Sequence, residues 1–216
     1  MIALIWDMDG VLVDSGRAHY EAWKRLFDAI GKPLTPEQVA ETLGMSNEPI
    51  LRRWLGPDTP LETVHELADR KEAWFRELIA EHVRTLPGAV ELLRAAQSRG
   101  YRQAVASSAP MANIVRTVEC LGLSDYFALL ISGARLPNSK PDPAIFVNAA
   151  AGLGVEPTHS VVLEDSVVGV EAAVRAEMHC IAVTTTRPAD DLVAADRIVD
   201  SLADLAPKDI EQLVNS

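Results

Sequence analysis

Cysteine is nearly absent from this 216-residue chain: Cys120 and Cys180 are the whole complement, and no CxxC pair exists. That excludes a disulfide scaffold and makes a reducing, cytoplasmic compartment the expectation. Basic residues are also scarce, with 20 Lys and Arg against 31 Asp and Glu, a formal net charge of -11. Such an acidic chain is poorly suited to nucleic acid or to an anionic membrane surface. No apolar run approaches the roughly 20 residues that cross a bilayer. The apolar opening Met1–Trp6 has no basic segment before it and is followed at once by Asp7 and Asp9, which reads against a signal peptide. Repeats and low-complexity tracts are missing too. What remains is an ordinary globular composition, 48% hydrophobic and 24% charged, long enough for one domain with a modest insert. If this chain handles an anionic small molecule, it must do so with a few placed cations, backbone N–H groups or a metal.

The pattern along the chain is that of an α/β protein. Ile2–Trp6 is apolar on both faces, as a central parallel strand covered by helices requires. Helical patterns then run over about 16–30, 36–43, 47–55 and 60–83, broken at Gly31-Lys32-Pro33 and Gly56-Pro57-Asp58. Residues 16–83 therefore read as a helical insert. After Leu86-Pro87-Gly88, helices and strands alternate: helix Ala89–Ser98, strand Arg102–Ala106, helix Pro110–Leu121, strand Phe127–Ser132. A helix capped by Asp142 follows, then strand Ser160–Leu163, a helix capped by Ser166, and strand His179–Thr184. A short strand at Arg197–Val199 and a last helix finish the chain. Repeated β-α-β predicts a doubly wound parallel sheet, Rossmann-like, with right-handed crossovers. The domain reading is a core of 1–15 and 84–216 with the insert 16–83. Cys120 and Cys180 are expected in the core as small hydrophobes.

In open α/β sheets ligands bind beyond the carboxyl ends of the strands. Asp7 and Asp9, Ser107 and Ser108, Lys140, and Glu164 and Asp165 all fall there. Each has an ordinary reading: a turn, an N-cap, a surface lysine, acidic charge at a helix start. Together they do not, because four carboxylates at one edge repel unless a cation sits among them. Mg²⁺ suits them, since it takes hard oxygen ligands and keeps water and phosphate in its shell. Carboxylates, a lysine and the helix start near Pro110 make a site for a phosphoryl group. One aspartate can attack phosphorus, and the other, two residues on, can serve the leaving oxygen as acid and then base.

The motifs Asp7-Met8-Asp9-Gly10-Val11-Leu12-Val13-Asp14-Ser15, Ala106-Ser107-Ser108, Ser139-Lys140-Pro141-Asp142-Pro143 and Leu163-Glu164-Asp165-Ser166 with Gly169 stand in this order. With them the chain resembles the haloacid dehalogenase superfamily, in its β-phosphoglucomutase-like branch with a helical cap. The resemblance implies Asp7 as nucleophile and Mg²⁺ ligand, and Asp9 as acid/base with its carbonyl on the metal. It implies Ser107 and the Ser108 N–H on the phosphoryl group, and Lys140 bridging nucleophile and phosphate. Asp165 would bind Mg²⁺ directly and Glu164 through water. An aspartate at position 9 implies C–O–P chemistry rather than carbon–halogen cleavage.

The insert would be the cap that closes over the site and selects the substrate. The resemblance points to His19, Trp23 and Lys71 there. Trp23 reads equally as cap core or sugar platform, and Lys71 as a solvated charge or a substrate contact. In Leu43-Gly44-Met45-Ser46-Asn47 the chain departs from the sugar phosphomutase, which has a lysine where Leu43 stands and a distal-phosphate arginine where Asn47 stands. Arg52 or Arg53 could substitute from the next turn. The expectation is a Mg²⁺-dependent phosphatase for a small phosphorylated metabolite, a sugar phosphate, with a phosphomutase second and an aspartyl-phosphate receiver third. No protein partner is implied.

Overall fold

The computed structural model describes residues 1–42 and 45–215. In chain order the elements are β1 (Ala3–Trp6), β2 (Val13–Asp14), α1 (Gly16–Ala29), α2 (Pro36–Ala40), α3 (Asn47–Leu55), α4 (Leu61–His82) and β3 (Arg84–Thr85). There follow α5 (Ala89–Ser98), β4 (Arg102–Ser107), α6 (Met111–Cys120), β5 (Leu129–Ser132), α7 (Ala144–Leu153), β6 (Ser160–Glu164), α8 (Val167–Arg175), β7 (His179–Val183), β8 (Arg197–Val199) and α9 (Pro207–Val214). The main sheet is parallel, in the order β5-β4-β1-β6-β7-β8. This is the doubly wound arrangement that the alternating pattern predicts. The chain starts in the middle of the sheet, so β1 lies between β4 and β6, and the strand order reverses there.

Every β1 side chain is fully buried because both faces of the sheet are covered. Leu4 and Trp6 pack on one side with Leu93, Ile114 and Val118 of α5 and α6. Ala3 and Ile5 pack on the other with Phe146 and Ala149 of α7 and Ala173 of α8. The insert has an apolar cluster of its own: Trp23, Leu26, Phe27, Ile50, Leu51 and Val64. Phe27 and Trp23 each meet the Trp54 ring edge-on at 5.3 Å, a favourable aromatic geometry.

Four local details differ from the sequence reading. The two-residue strands β2 and β3 pair antiparallel, Val13 with Thr85 and Asp14 with Arg84, at the root of the insert; so short a ladder leaves no periodicity to detect. Helix α7 starts one residue late, because Asp142 Oδ1 accepts from the Ala144 N–H at 2.9 Å and turns the chain there, leaving Pro143 at the cap. Met111, whose helical spacing from Ile114, Val115, Val118 and Leu121 predicts a place in the apolar stripe of α6, is exposed. Cys120 is exposed as well, because the stripe of α6 runs through Ile114 and Val118 and two further residues turn Cys120 to the opposite side. Cys180 is buried as expected.

Phe27→Ala should destabilise the protein by about 3–5 kcal/mol, as deletion of a buried aromatic side chain does; a lowered midpoint of urea unfolding checks this.

Candidate active site

The strand order brings three chain-distant segments to one cavity. Trp6 is in register with Val105 of β4 and Leu163 of β6, so Asp7, Ser107 and Glu164 emerge side by side at the carboxyl ends. The Asp7 N–H still donates to the Leu163 carbonyl at 3.0 Å. Beyond it the backbone folds back on itself, Gly10 donating to the Val13 carbonyl and Val13 to the Met8 carbonyl, which aims Asp9 at the insert. Gly10 has φ +86°, and a Cβ there would fall 2.1 Å from Asp165 Oδ2. Only glycine lets the first loop approach the Asp165 carboxylate so closely.

Lys140 holds the centre. Its Nζ donates to Asp7 Oδ1 at 2.6 Å and to Glu164 Oε1, and it lies 4.9 Å over the Phe146 ring. Burial disfavours the ammonium, but the Asp7 and Glu164 carboxylates outweigh this and hold the Lys140 pKa above its ordinary value. The second Glu164 oxygen accepts from the Asp165 N–H, the Ser166 N–H and the Ser166 hydroxyl, each at 2.9 Å. Asp165 Oδ2 accepts from the Thr186 hydroxyl. Ser107 Oγ accepts from the Ala109 N–H at 3.1 Å and so shapes the loop that leads into α6. Ser108 lines the same cavity.

The electrostatics reveal a shortage of positive charge. Burial raises the Asp7 pKa well above the carboxylate range; Lys140 opposes this, while Glu164 and Asp165 add to it. Asp165 is pushed up to about 7, by burial first and then by Glu164, against the Thr186 hydrogen bond and Lys140. One ammonium is too little for these acids. Hard oxygen donors with unbalanced negative charge are what Mg²⁺ takes. Among the described residues no three acidic, His or Cys side chains already share one ligand shell; each carboxylate is held by a protein donor instead. Glu164, both oxygens occupied, suits a place behind a water, and Asp7, Asp165 and the loop of Asp9 suit the near positions.

The insert supplies the roof. Asp9 accepts from the Ser15 hydroxyl, and its Oδ1 lies 3.4 Å from His19 Nε2. Burial raises the Asp9 pKa, but His19 and Ser15 outweigh burial and leave it below the ordinary value. Lys71 Nζ lies 2.9 Å from His19 Nδ1 and 2.8 Å from Glu72 Oε1. An ammonium only donates, so His19 Nδ1 accepts and the ring proton sits on Nε2, toward Asp9. His19 also stacks on Phe75 at 4.2 Å. Lys71 is 1% exposed, which removes the solvated reading, and its Nζ lies 5.0 Å from the centre of the Trp23 ring. Trp23 is buried in the cap cluster and also lines the cavity. Asn47 also lines the cavity, with Nδ2 donating to Glu72 Oε1 at 2.8 Å.

Comparison with known proteins fits this geometry. Residues 4–183 match the haloacid dehalogenase-like hydrolases. The chain belongs to this family. It is 36% identical over 180 residues to the phosphorylated carbohydrates phosphatase of Thermotoga maritima, covering 80% of each chain. It is 31% identical to hexitol phosphatase B of Escherichia coli, covering 97% of this chain and 96% of that one. Among solved structures, a β-phosphoglucomutase from Clostridium difficile superposes with a TM-score of 0.87 at 28% identity, covering 100% of this chain and 98% of that one. The parallel sheet with its helical cap is the architecture of that branch.

The arginine question resolves against substitution. Arg52 donates to Glu48 at 2.8 Å and to the carbonyls of Pro57 and Thr59. Arg53 donates to Glu41 at 2.6 Å on the exposed side of α3. Neither lines the cavity. Leu43, the other departure from the phosphomutase, lies outside the described residues. Sequence reasoning missed Glu72, Asn113 and Thr186. Glu72 follows Lys71 directly and looks like a helix surface charge; only its burial marks it.

Gly169→Ala tests the cradle of Glu164, because a Cβ at position 169 would lie 1.9 Å from the Glu164 carboxyl carbon. Displacing Glu164 from Lys140 should cut turnover by about tenfold or more; steady-state kinetics beside an unfolding curve checks this.

Proposed function

We propose that this protein is a Mg²⁺-dependent phosphatase that hydrolyses a small sugar or polyol phosphate through a phosphoryl group carried on Asp7. The observation that carries the reading is the buried Asp7–Lys140–Glu164 arrangement at the ends of β1 and β6, under a helical roof. Residues 16–83 are the cap and 1–15 with 84–216 the core. Phosphatases for phosphorylated carbohydrates and hexitol phosphates among the relatives support the substrate class.

Lys140 fixes Asp7 Oδ1, which leaves Oδ2 to attack phosphorus in line. Ser107 and the Ser108 N–H hold phosphoryl oxygens, with the start of α6 behind them. A Mg²⁺ held by Asp7, the Asp9 carbonyl, Asp165 and, through water, Glu164 would offset charge on the phosphoryl oxygens. Asp9 gives a proton to the leaving alkoxide and later takes one from the attacking water. Its low pKa suits the second task, and the approach of a phosphate dianion raises it for the first.

Hydrolysis is favoured over phosphomutase chemistry by the charge of the roof. A mutase must grip a bisphosphate at both ends. Here Lys71 is paired with Glu72, Arg52 and Arg53 face elsewhere, and Glu72 and Asn47 offer hydrogen bonds rather than free positive charge. That wall suits hydroxyl groups. A lost charge-assisted phosphate contact weakens binding by about 1.5–3 kcal/mol.

Asp7→Asn should abolish turnover and phosphate capture, and Asp9→Asn should slow hydrolysis of an alkyl phosphate by about 10²–10⁴-fold. Incubation with glucose 1-phosphate, with and without a bisphosphate activator, separates the two activities. Free phosphate supports hydrolysis; isomerised hexose phosphate without phosphate release would assign the mutase. EDTA should remove the activity and Mg²⁺ restore it.

A further inference from the structure

Asn113 belongs to none of the motifs, yet its side chain is fully buried between core and cap. It lies in the first turn of α6, directly after the Ser107–Pro110 loop. Its Nδ2 donates to Glu72 Oε2 of α4, and its Oδ1 accepts from the Arg76 guanidinium, also of α4, at 2.8 Å. Arg76 can only donate, so it fixes which way the amide faces and keeps the NH₂ on Glu72.

From Glu72 the contacts continue in one direction. Its other oxygen accepts from Lys71, Lys71 faces His19 Nδ1, and His19 Nε2 faces Asp9. Each member constrains the next: the ammonium sets the imidazole tautomer, and the tautomer sets what Asp9 meets. Both ends of this chain lie in the core, Asp9 in the first loop and Asn113 beside the Ser107–Pro110 loop, and the links between them belong to the insert.

We propose that Asn113 is a positioning residue for Asp9 that acts through three side chains of the insert. Asn113 holds Glu72, Glu72 holds Lys71, and the His19 N–H is presented to Asp9. This inference rests on the assignment of Asp9 to the leaving group.

Asn113→Asp tests it with little change of shape. The new carboxylate still accepts from Arg76 but sets an oxygen against Glu72 Oε2. Two phosphate monoesters are compared in the full-length protein. A hexose phosphate needs a proton for its leaving group, whereas p-nitrophenyl phosphate does not. Misplacement of Asp9 should lower kcat/KM, which reads phosphoryl transfer to Asp7 and not the later attack by water, by about 10–100-fold for the hexose phosphate and leave kcat/KM for the aryl substrate nearly unchanged. Adding Glu72→Gln reverses the polarity of the lost bond: its amide donates to the new carboxylate while its oxygen still accepts from Lys71. Hexose phosphate turnover should then recover.

An equal fall in kcat/KM with both substrates, or no fall with either, overturns the proposal. So does a folded double variant, with the parental melting curve, that stays slow on hexose phosphate. If Asn113→Asp alone does not fold, the double variant still decides, because it must be both folded and active. A parent protein that cleaves aryl but not sugar phosphates counts against the substrate assignment instead; the same comparison then uses glycerol phosphate as the alkyl ester.

Discussion

One ammonium among buried carboxylates organises this molecule. Lys140 is drawn into the protein interior because Asp7 and Glu164 are there to receive it, and they tolerate burial because Lys140 is between them. At an effective dielectric of about 20, unit charges about 4 Å apart interact by roughly 4 kcal/mol. Interactions of that size are enough to fix where a loop of the core must run. They also explain why β1 is central. A strand with a neighbour on each side is the place where a following aspartate can meet groups from two other strand ends at once. The acids outnumber Lys140, and the Asp165 pKa is raised by its burial and by Glu164 beside it.

The roof obeys a different rule. Lys71 and Glu72 are buried as a pair, and a buried pair is stabilising only when its remaining hydrogen-bonding groups are satisfied. Asn47, His19 and Asn113 satisfy them. The pair therefore adds little stability beyond what an apolar pair would supply, but it fixes a polar surface of defined shape over the cavity. In the proposed phosphatase, the core would handle phosphate by charge, and the cap would hold the rest of the substrate by arranged donors and acceptors. The family's variety of substrates is compatible with that division, since the two tasks use separate residues.

Much of this was legible in the sequence. The alternation of apolar strands with striped helices predicts the sheet and the insert, because each element must bury one face or both. The acids beyond Trp6 and Leu163, the Ser pair at the end of β4 and Lys140 could be placed at one edge from strand ends alone. What escaped is what depends on cross-chain neighbours. Glu72, Asn113 and Thr186 sit in helices and loops where a polar residue is ordinary; burial distinguishes Glu72 and Asn113, and a hydrogen bond to Asp165 distinguishes Thr186. The β2–β3 ladder is too short for a pattern, and Cys120 was misplaced because a small apolar residue at a helix end belongs equally to either side. Arg52 and Arg53 lay near enough in sequence to replace the missing cap cation, but the turn of α3 and their nearby acceptors carry them outward.

The antiparallel ladder of β2 and β3 has a structural consequence. The polypeptide leaves the core and returns to it through neighbouring strands, about 5 Å apart. To the core, the whole excursion of helices is equivalent to the tip of a hairpin. Any unit whose two ends meet at that spacing can be grafted in its place without disturbing a single strand of the main sheet, so this junction is where natural or laboratory recombination can exchange one lid for another.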